Sequence, residues 1–222
     1  MPIQILARTI SRMSVVDDQE QVRAVYEFVL DDLKVEAVSE AGPFQSLAKC
    51  VEDIRKRSDA AICDLNLKVR DYSTFNGAEL VAAFYKTAFP AVLCTKWYSA
   101  SIDEMRPFRR FIPSLVEPEK LDTTSITAGI ESCIREFEGK FLAARRPWRT
   151  LVRVEDIRPV GQGANFLFVI VPAWNSNQVV KLPAEIVPAP ILKELKAGVR
   201  LHAKVNLGAN SNEELFFEEW EK

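Results

Sequence analysis

Histidine is nearly missing from this sequence: His202 is the single one in 222 residues. No Ser-His or Cys-His nucleophile system is apparent. Cysteine is sparse and scattered. Cys50, Cys63, Cys94 and Cys133 form no C-x-x-C pair, which argues against a zinc site, and Cys63 and Cys94 sit in apolar runs as small hydrophobes. No apolar run approaches the ~20 residues that span a bilayer, and the first residues lack the basic-then-apolar pattern of a leader. The expected setting is therefore a reducing cytoplasm, with no membrane partner. Charge of one sign is lacking too. A formal net charge of −2 gives no whole-chain electrostatic case for nucleic acid or an anionic surface. Internal repeats and low-complexity tracts are absent.

What is present suits an ordinary globular chain, 48% hydrophobic and 27% charged. Its organising stretch is Ala60-Ala61-Ile62-Cys63-Asp64-Leu65-Asn66-Leu67. A continuous apolar run bounded by polar segments fits a strand buried on both faces of a parallel sheet. An acid at its carboxyl end lies where open α/β sheets place ligand sites. Around it, strands and helices alternate. Ile3, Ile5 and Ala7 read as a short edge strand. Met13–Val16 reads as a strand that runs into Asp17-Asp18. Val22, Val25, Val29 and Leu33 then recur at helical spacing. Val35–Val38 reads as the next strand, and Phe44, Leu47, Val51 and Ile54 line a second helix that ends on Arg55-Lys56-Arg57. After Asp64, residues 68–76 read as a polar loop, and Gly77-Ala78-Glu79-Leu80 opens a third helix. Ala91–Cys94 is an apolar strand closing on Thr95. A poorly helical stretch broken by Pro107 leads to a last strand over 111–116. Asp122 or Thr123 caps a helix striped by Ile126, Ile130, Ile134, Phe137 and Phe141. Five β-α repeats predict a parallel sheet with helices on both faces.

These residues carry a family resemblance. Val15-Val16-Asp17-Asp18, Asp64 after the third main strand, Gly77-Ala78-Glu79-Leu80 and Thr95 after the fourth resemble the receiver domain of two-component response regulators, over about residues 12–141. The resemblance implies a flavodoxin-like five-stranded parallel sheet, with Asp64 as phosphoacceptor and a histidine kinase upstream. It implies a Mg²⁺ held by Asp17, Asp18, Asp64 and the Asn66 carbonyl, and a phosphoryl group hydrogen-bonded by Thr95. Elementary chemistry agrees. Carboxylates converging at strand ends repel one another, and a hard dication offsets them. A carboxylate so neutralised is a nucleophile toward a phosphodonor. For Asp17-Asp18 alone, a helix N-cap with solvated acids is an equal reading.

Two positions depart from the family pattern. A lysine is expected before the proline that ends the fifth strand, and here Glu117 precedes Pro118. The aromatic expected three residues earlier is Ser114. The segment from Asp64 to Gly77 is also longer than the family spacing. Lys96, Arg109 and Arg110 are cations that nothing in the sequence places at the site. The expectation is an atypical receiver whose metal corner persists and whose phospho-switch is impaired. Haloacid-dehalogenase-like phosphatases, which also use a strand-end Asp, need a second acid two residues on; position 66 is Asn. The chain is thus expected not to be an enzyme.

Beyond residue 142 the character changes. Residues 143–148 read as a linker, and 149–222 as a small all-β barrel-like domain, SH3-like or OB-like. Short strands are expected over 150–157, 165–171, 178–182, 199–207 and 215–217. Gly161-Gln162-Gly163, prolines and Gly198 punctuate them. Residues 147–222 balance nine Lys/Arg against nine Asp/Glu and end in an acidic tail. Along 199–207 the alternation sends Arg200, His202 and Lys204 to one face, either a solvated face or a surface for an acidic peptide or nucleic acid. Phe166, Phe168 and Trp174 are either core or stacking platforms. Phe216-Phe217 and Trp220 dock on the barrel or on a partner. The function expected is a signalling regulator that binds a protein partner through the barrel. The alternatives are a nucleic-acid-binding regulator and an adaptor without phospho-input.

Overall fold

The computed structural model describes residues 2–96, 99–160 and 164–222. The chain forms two compact units. One comprises Met1–Trp97 and Phe111–Lys140, the other Tyr98–Arg110 and Phe141–Lys222.

The first unit begins with an antiparallel hairpin, β1 (Ile3–Ile5) and β2 (Arg8–Ile10). The parallel sheet follows as β3 (Arg12–Val16), β4 (Glu36–Glu40), β5 (Ala60–Asp64), β6 (Ala91–Cys94) and β7 (Leu115–Val116). Its order is β4-β3-β5-β6-β7, and every pairing is parallel. Connecting helices are α1 (Glu20–Asp32), α2 (Leu47–Arg57) and α3 (Gly77–Lys86), with α5 (Thr123–Phe137) after the last strand. This is the flavodoxin-like architecture expected. Local chemistry explains the starts of the helices: Asn76 and Asp122 each close a capping box on α3 and α5, and Ser46 accepts the Lys49 N–H. The β3, β5 and β6 runs are buried on both faces, which is why they read as unbroken apolar stretches. Val15, Ile62 and Val92 pack with Tyr26, Leu30, Ile126 and Ile130 on one side.

The last strand is shorter than expected. It keeps only Leu115–Val116, because Arg109–Phe111 forms a turn of 3-10 helix before it. The stretch read as poorly helical contains α4 (Ser99–Met105). This helix groups with the second unit, so the expected boundary at 142 and linker over 143–148 differ from the division found. The reason is burial. Ile102 and Met105 are buried, and the buried Arg106 guanidinium donates to the carbonyls of Asn212 (2.9 Å) and Leu215 (3.3 Å). Arg110 pairs with Glu218 at 2.9 Å, and Lys181 with Asp103 at 2.6 Å. Within 143–148, Ala143–Arg145 is 3-10 helix and Trp148 already begins a strand.

The second unit is one antiparallel sheet of β8 (Trp148–Val160), β9 (Ala164–Val171), β10 (Asn175–Pro183), β11 (Arg200–Val205) and β12 (Phe217–Glu221). Its order is β10-β9-β8-β11-β12. A meander of three strands with the fourth returning beside the first is a Greek key. A one-turn helix, α6 (Ala189–Leu192), lies between β10 and β11. Val152, Val154, Leu167, Val169, Val180, Leu182, Leu201 and Ala203 make the core. Phe216 is fully buried, and Phe217 stacks on Trp220 with centroids 5.6 Å apart, so the C-terminal aromatics dock within this unit. Asn206, buried just past β11, donates to the Ala144 and Glu214 carbonyls and accepts the Phe216 N–H. The expected turn at Gly161-Gln162-Gly163 lies outside the described residues. Among those described, no helix is long and apolar enough to cross a membrane.

Candidate functional site: an acidic corner at the strand ends

Sheet register assembles the site. Val16 pairs with Cys63, so Asp17, the residue just after β3, lies beside Asp64 at the end of β5. Asp64 pairs with Cys94, so Thr95 leaves β6 one step further on. Three chemistry-bearing residues thus reach the carboxyl edge of adjacent central strands, where open parallel sheets put their ligands.

Each is fixed by the backbone around it. Asp17 is 3% exposed, and its Oδ1 accepts the Gln19 N–H at 2.8 Å. Its own carbonyl takes a 2.6 Å hydrogen bond from the buried Arg23, whose Nε is held by Ser39. Asp64 Oδ2 accepts the Asn66 N–H at 2.7 Å. Gly77 presses onto the same strand end: a Cβ at that position would lie 1.8 Å from the Asp64 carbonyl oxygen. Thr95 is buried, and its N–H bonds the Val116 carbonyl at 2.9 Å.

The corner is electrostatically tense. Burial, then the neighbouring Asp17 charge, pushes the Asp64 carboxyl up to about 6, against hydrogen bonds from the Asn66 and Leu65 amides. Burial and the charge of Asp18 raise Asp17 from the ordinary carboxylate range. These acids are therefore not the solvated N-cap pair of the alternative reading. Their donor set, hard carboxylate oxygens with excess negative charge, fits a hard divalent cation in kind. It is not gathered as a ready cage, however. Among the described residues no three His, Cys, Asp or Glu side chains converge as a metal site. Asp18, with its side chain only 5% exposed, pairs instead with Arg70 at 3.3 Å.

The remaining predicted residues are not all brought here. Ser114 is buried beneath α5, where Gly129 leaves it room. Glu117 follows β7 and pairs with Lys120 at 2.7 Å. Of the loose cations, Lys96 pairs with Glu119 at 3.5 Å, and Arg109 and Arg110 belong to the other unit. Arg70 was missed, since nothing in a polar loop signals where its tip will reach.

In the second unit, β11 alternates as expected, with Leu201, Ala203 and Val205 inward and Arg200, His202 and Lys204 outward. The face is locally neutralised: Lys204 pairs with Glu219, and His202 sits in register with Glu221. Phe166 and Phe168 occupy the outer face of β9, between the buried Leu167 and Val169. Lys181 lies over the Phe166 ring at 4.0 Å and Arg158 over Phe168 at 5.2 Å. Trp174 is partly buried against the core and donates to the Ala209 carbonyl.

Over its N-terminal part the chain resembles response-regulator receiver domains of known structure. One is a response regulator receiver domain protein from Clostridium thermocellum, 11% identical, covering 58% of this chain and 97% of that one at a TM-score of 0.43. A putative response regulator from Chloroflexus aurantiacus J-10-fl is 18% identical over 56% of this chain and 98% of that one, TM-score 0.43. FixJ-N is 18% identical over 56% of this chain and 94% of that one, TM-score 0.41. No family model and no curated protein matches the chain.

Proposed function

We propose that the chain is a cytoplasmic signalling regulator, not an enzyme, whose first unit takes a phosphoryl group on Asp64. The observation that carries this reading is the juxtaposition of Asp64, Asp17 and Thr95 at the carboxyl edge of a five-stranded parallel sheet. Asp17, Asp64, the Asn66 carbonyl and, once freed from Arg70, Asp18 are the residues that would hold Mg²⁺. The cation supplies charge neutralisation for the incoming phosphate. An Asp64 carboxylate oxygen forms the new bond to phosphorus as the donor's bond breaks. Thr95, at the adjacent strand end, offers its hydroxyl to the phosphoryl oxygens. The phosphodonor in the cell would be a histidine kinase. Incubation with Mg²⁺ and acetyl phosphate should add one phosphoryl mass to the protein and none to Asp64→Asn. Failure to phosphorylate, or an adduct that survives this substitution, overturns the assignment.

For the second unit we propose a partly open, OB-like barrel that binds a protein partner. The Greek-key order, and the β10 and β12 edges that pair with no further strand among the described residues, favour this over an SH3-like arrangement. A nucleic-acid role has one observation in its favour, the outward Phe166 and Phe168 flanked by Lys181 and Arg158. Those cations are already paired, with Asp103 and Asp156, which favours the protein partner. Single-strand binding that weakens steeply with salt and is lost in Phe166→Ala/Phe168→Ala would reverse that preference.

A further inference from the structure

The loop joining β5 to α3 is not a loose insertion. Leu65, Leu67, Tyr72 and Phe75 are all buried. Tyr72 donates its hydroxyl to the Glu40 carbonyl at 2.5 Å and accepts the Phe44 N–H on its own carbonyl at 2.8 Å. Its ring packs edge-on against Phe44, and Thr74 N–H returns to the Phe44 carbonyl at 3.2 Å. The base of the loop is thus tied to the strand ends that frame the acidic corner.

The tip is the tight turn Val69–Tyr72, closed by Tyr72 N–H to the Val69 carbonyl at 3.0 Å. Its central residues, Arg70 and Asp71, both have left-handed backbones, with φ of 51° and 56°. Such a turn is normally given to Gly, Asn and Asp, which tolerate the left-handed region better than longer side chains do. This chain accepts the strain with an arginine at the first position. The guanidinium extends from that tip to Asp18 at 3.3 Å. Among the described residues, Arg23 also reaches the corner, but it is committed to the Asp17 carbonyl and Ser39.

We propose that Arg70 is a tethered counter-ion of the acidic corner, which competes with a divalent cation for Asp18. The loop's anchoring through Tyr72 and the strained tip fix where the cation is presented. The exposed, flexible side chain lets it leave. The corner therefore has a resting form neutralised by the protein itself, and a metal-loaded form in which Asp18 is released. This inference rests on the proposed reading of the corner as a cation-dependent phosphoacceptor site.

The test uses Mn²⁺ alone with the full chain. Free Mn²⁺ is counted from its electron paramagnetic resonance signal in titrations of the wild type, Arg70→Gly and Arg70→Gln. Gly removes both the charge and the backbone strain; Gln removes the charge and keeps the strain. Both variants should bind Mn²⁺ at least about threefold more tightly than the wild type, the gain expected from losing a partly exposed competing ion pair. The advantage should shrink at high ionic strength. Equal, measurable affinity in all three proteins overturns the role of Arg70 and leaves the corner's metal reading intact. No binding in any of them overturns both. Because tightening is read rather than loss, a misfolded variant cannot mimic support.

Discussion

Asp64→Asn should stabilise the protein at neutral pH, although it removes the central residue of the site. Folding holds the Asp64 carboxyl at about 6, above the 3.8 of an unperturbed aspartate. A raised carboxyl favours the protonated form in the folded state, so its stabilising contribution is complete below the unfolded value and is lost as pH rises through about 6. At pH 7.5 the ionised Asp64 therefore strains the fold. A difference of about two pKa units corresponds to about 3 kcal/mol. Residual solvent contact and the sharing of the repulsion with Asp17 reduce this to ~1–2 kcal/mol. Asparagine loses the charge and keeps a carbonyl oxygen to accept the Asn66 N–H. Calorimetric melting of wild type and variant in chelator at pH 4, 5.5 and 7.5 checks the magnitude and the sign. The variant should melt a few degrees higher at pH 7.5, and the gap should close toward pH 4. Excess Mg²⁺ should also narrow it at pH 7.5 by stabilising the wild type preferentially. A variant no more stable than wild type at pH 7.5, or a gain that does not vary with pH, would refute the electrostatic account of the corner.

Other consequences are as direct. Gly77→Ala places a methyl against the Asp64 carbonyl, which forces the strand end to move; a loss of ~2 kcal/mol or more in chemical denaturation and loss of phosphoryl uptake are expected. Asn76→Ala removes the α3 capping box and should cost ~1 kcal/mol by the same measurement. Arg106→Ala leaves the buried Leu215 carbonyl and the partly buried Asn212 carbonyl without their donor, and should cost ~2–3 kcal/mol with faster amide exchange in β11 and β12. A fragment spanning 141–222, lacking residues 98–110, should show no cooperative melt, whereas supplying those residues should restore one.

The first unit was legible because buried parallel strands leave a plain signal. Met13–Val16, Ala60–Cys63 and Ala91–Cys94 are runs that no exposed element would carry, and an acid or threonine after each marks the strand end. The second unit's strands were legible from alternation and punctuation. Which face was core was less so at β9, because Phe166 and Phe168 are as apolar as Leu167 and Val169, and only the folded sheet separates them. Membership of α4 in the second unit left no local trace. It depends on Arg106 meeting Asn212 and Leu215, more than a hundred positions away. Arg70 was illegible for a related reason: a turn with two left-handed residues normally announces itself with Gly, Asn or Asp at its first position, and an arginine there gives no such notice.

Ser114 and Glu117, the two positions expected to depart from the receiver pattern, each have a definite physical setting. Ser114 is not simply an aromatic position left empty. Its hydroxyl lies under α5 against Gly129, where even a Cβ added to the glycine would come within 2.4 Å of Ser114 Oγ. The main chain at Ser114 is bonded into the sheet through the Leu93 N–H at 3.1 Å. A small residue on β7's approach and a glycine on α5 therefore form a matched pair that lets helix and sheet approach closely, and an aromatic at 114 would need both to change. Glu117 is similarly engaged. Its carboxylate is paired with Lys120, which offsets part of its negative charge. A single Glu117→Lys substitution would consequently not restore a receiver-type lysine. It would leave Lys120 without its partner, as a like charge three residues away that opposes the new ammonium's approach to the acids. The pair Glu117→Lys with Lys120→Ala is the change that tests whether the corner accepts a phosphate-reading cation: it should slow loss of the phosphoryl group from Asp64, whereas the single substitution should alter it little. The reverse ranking would mean that Lys120 does not hold Glu117 in the folded protein.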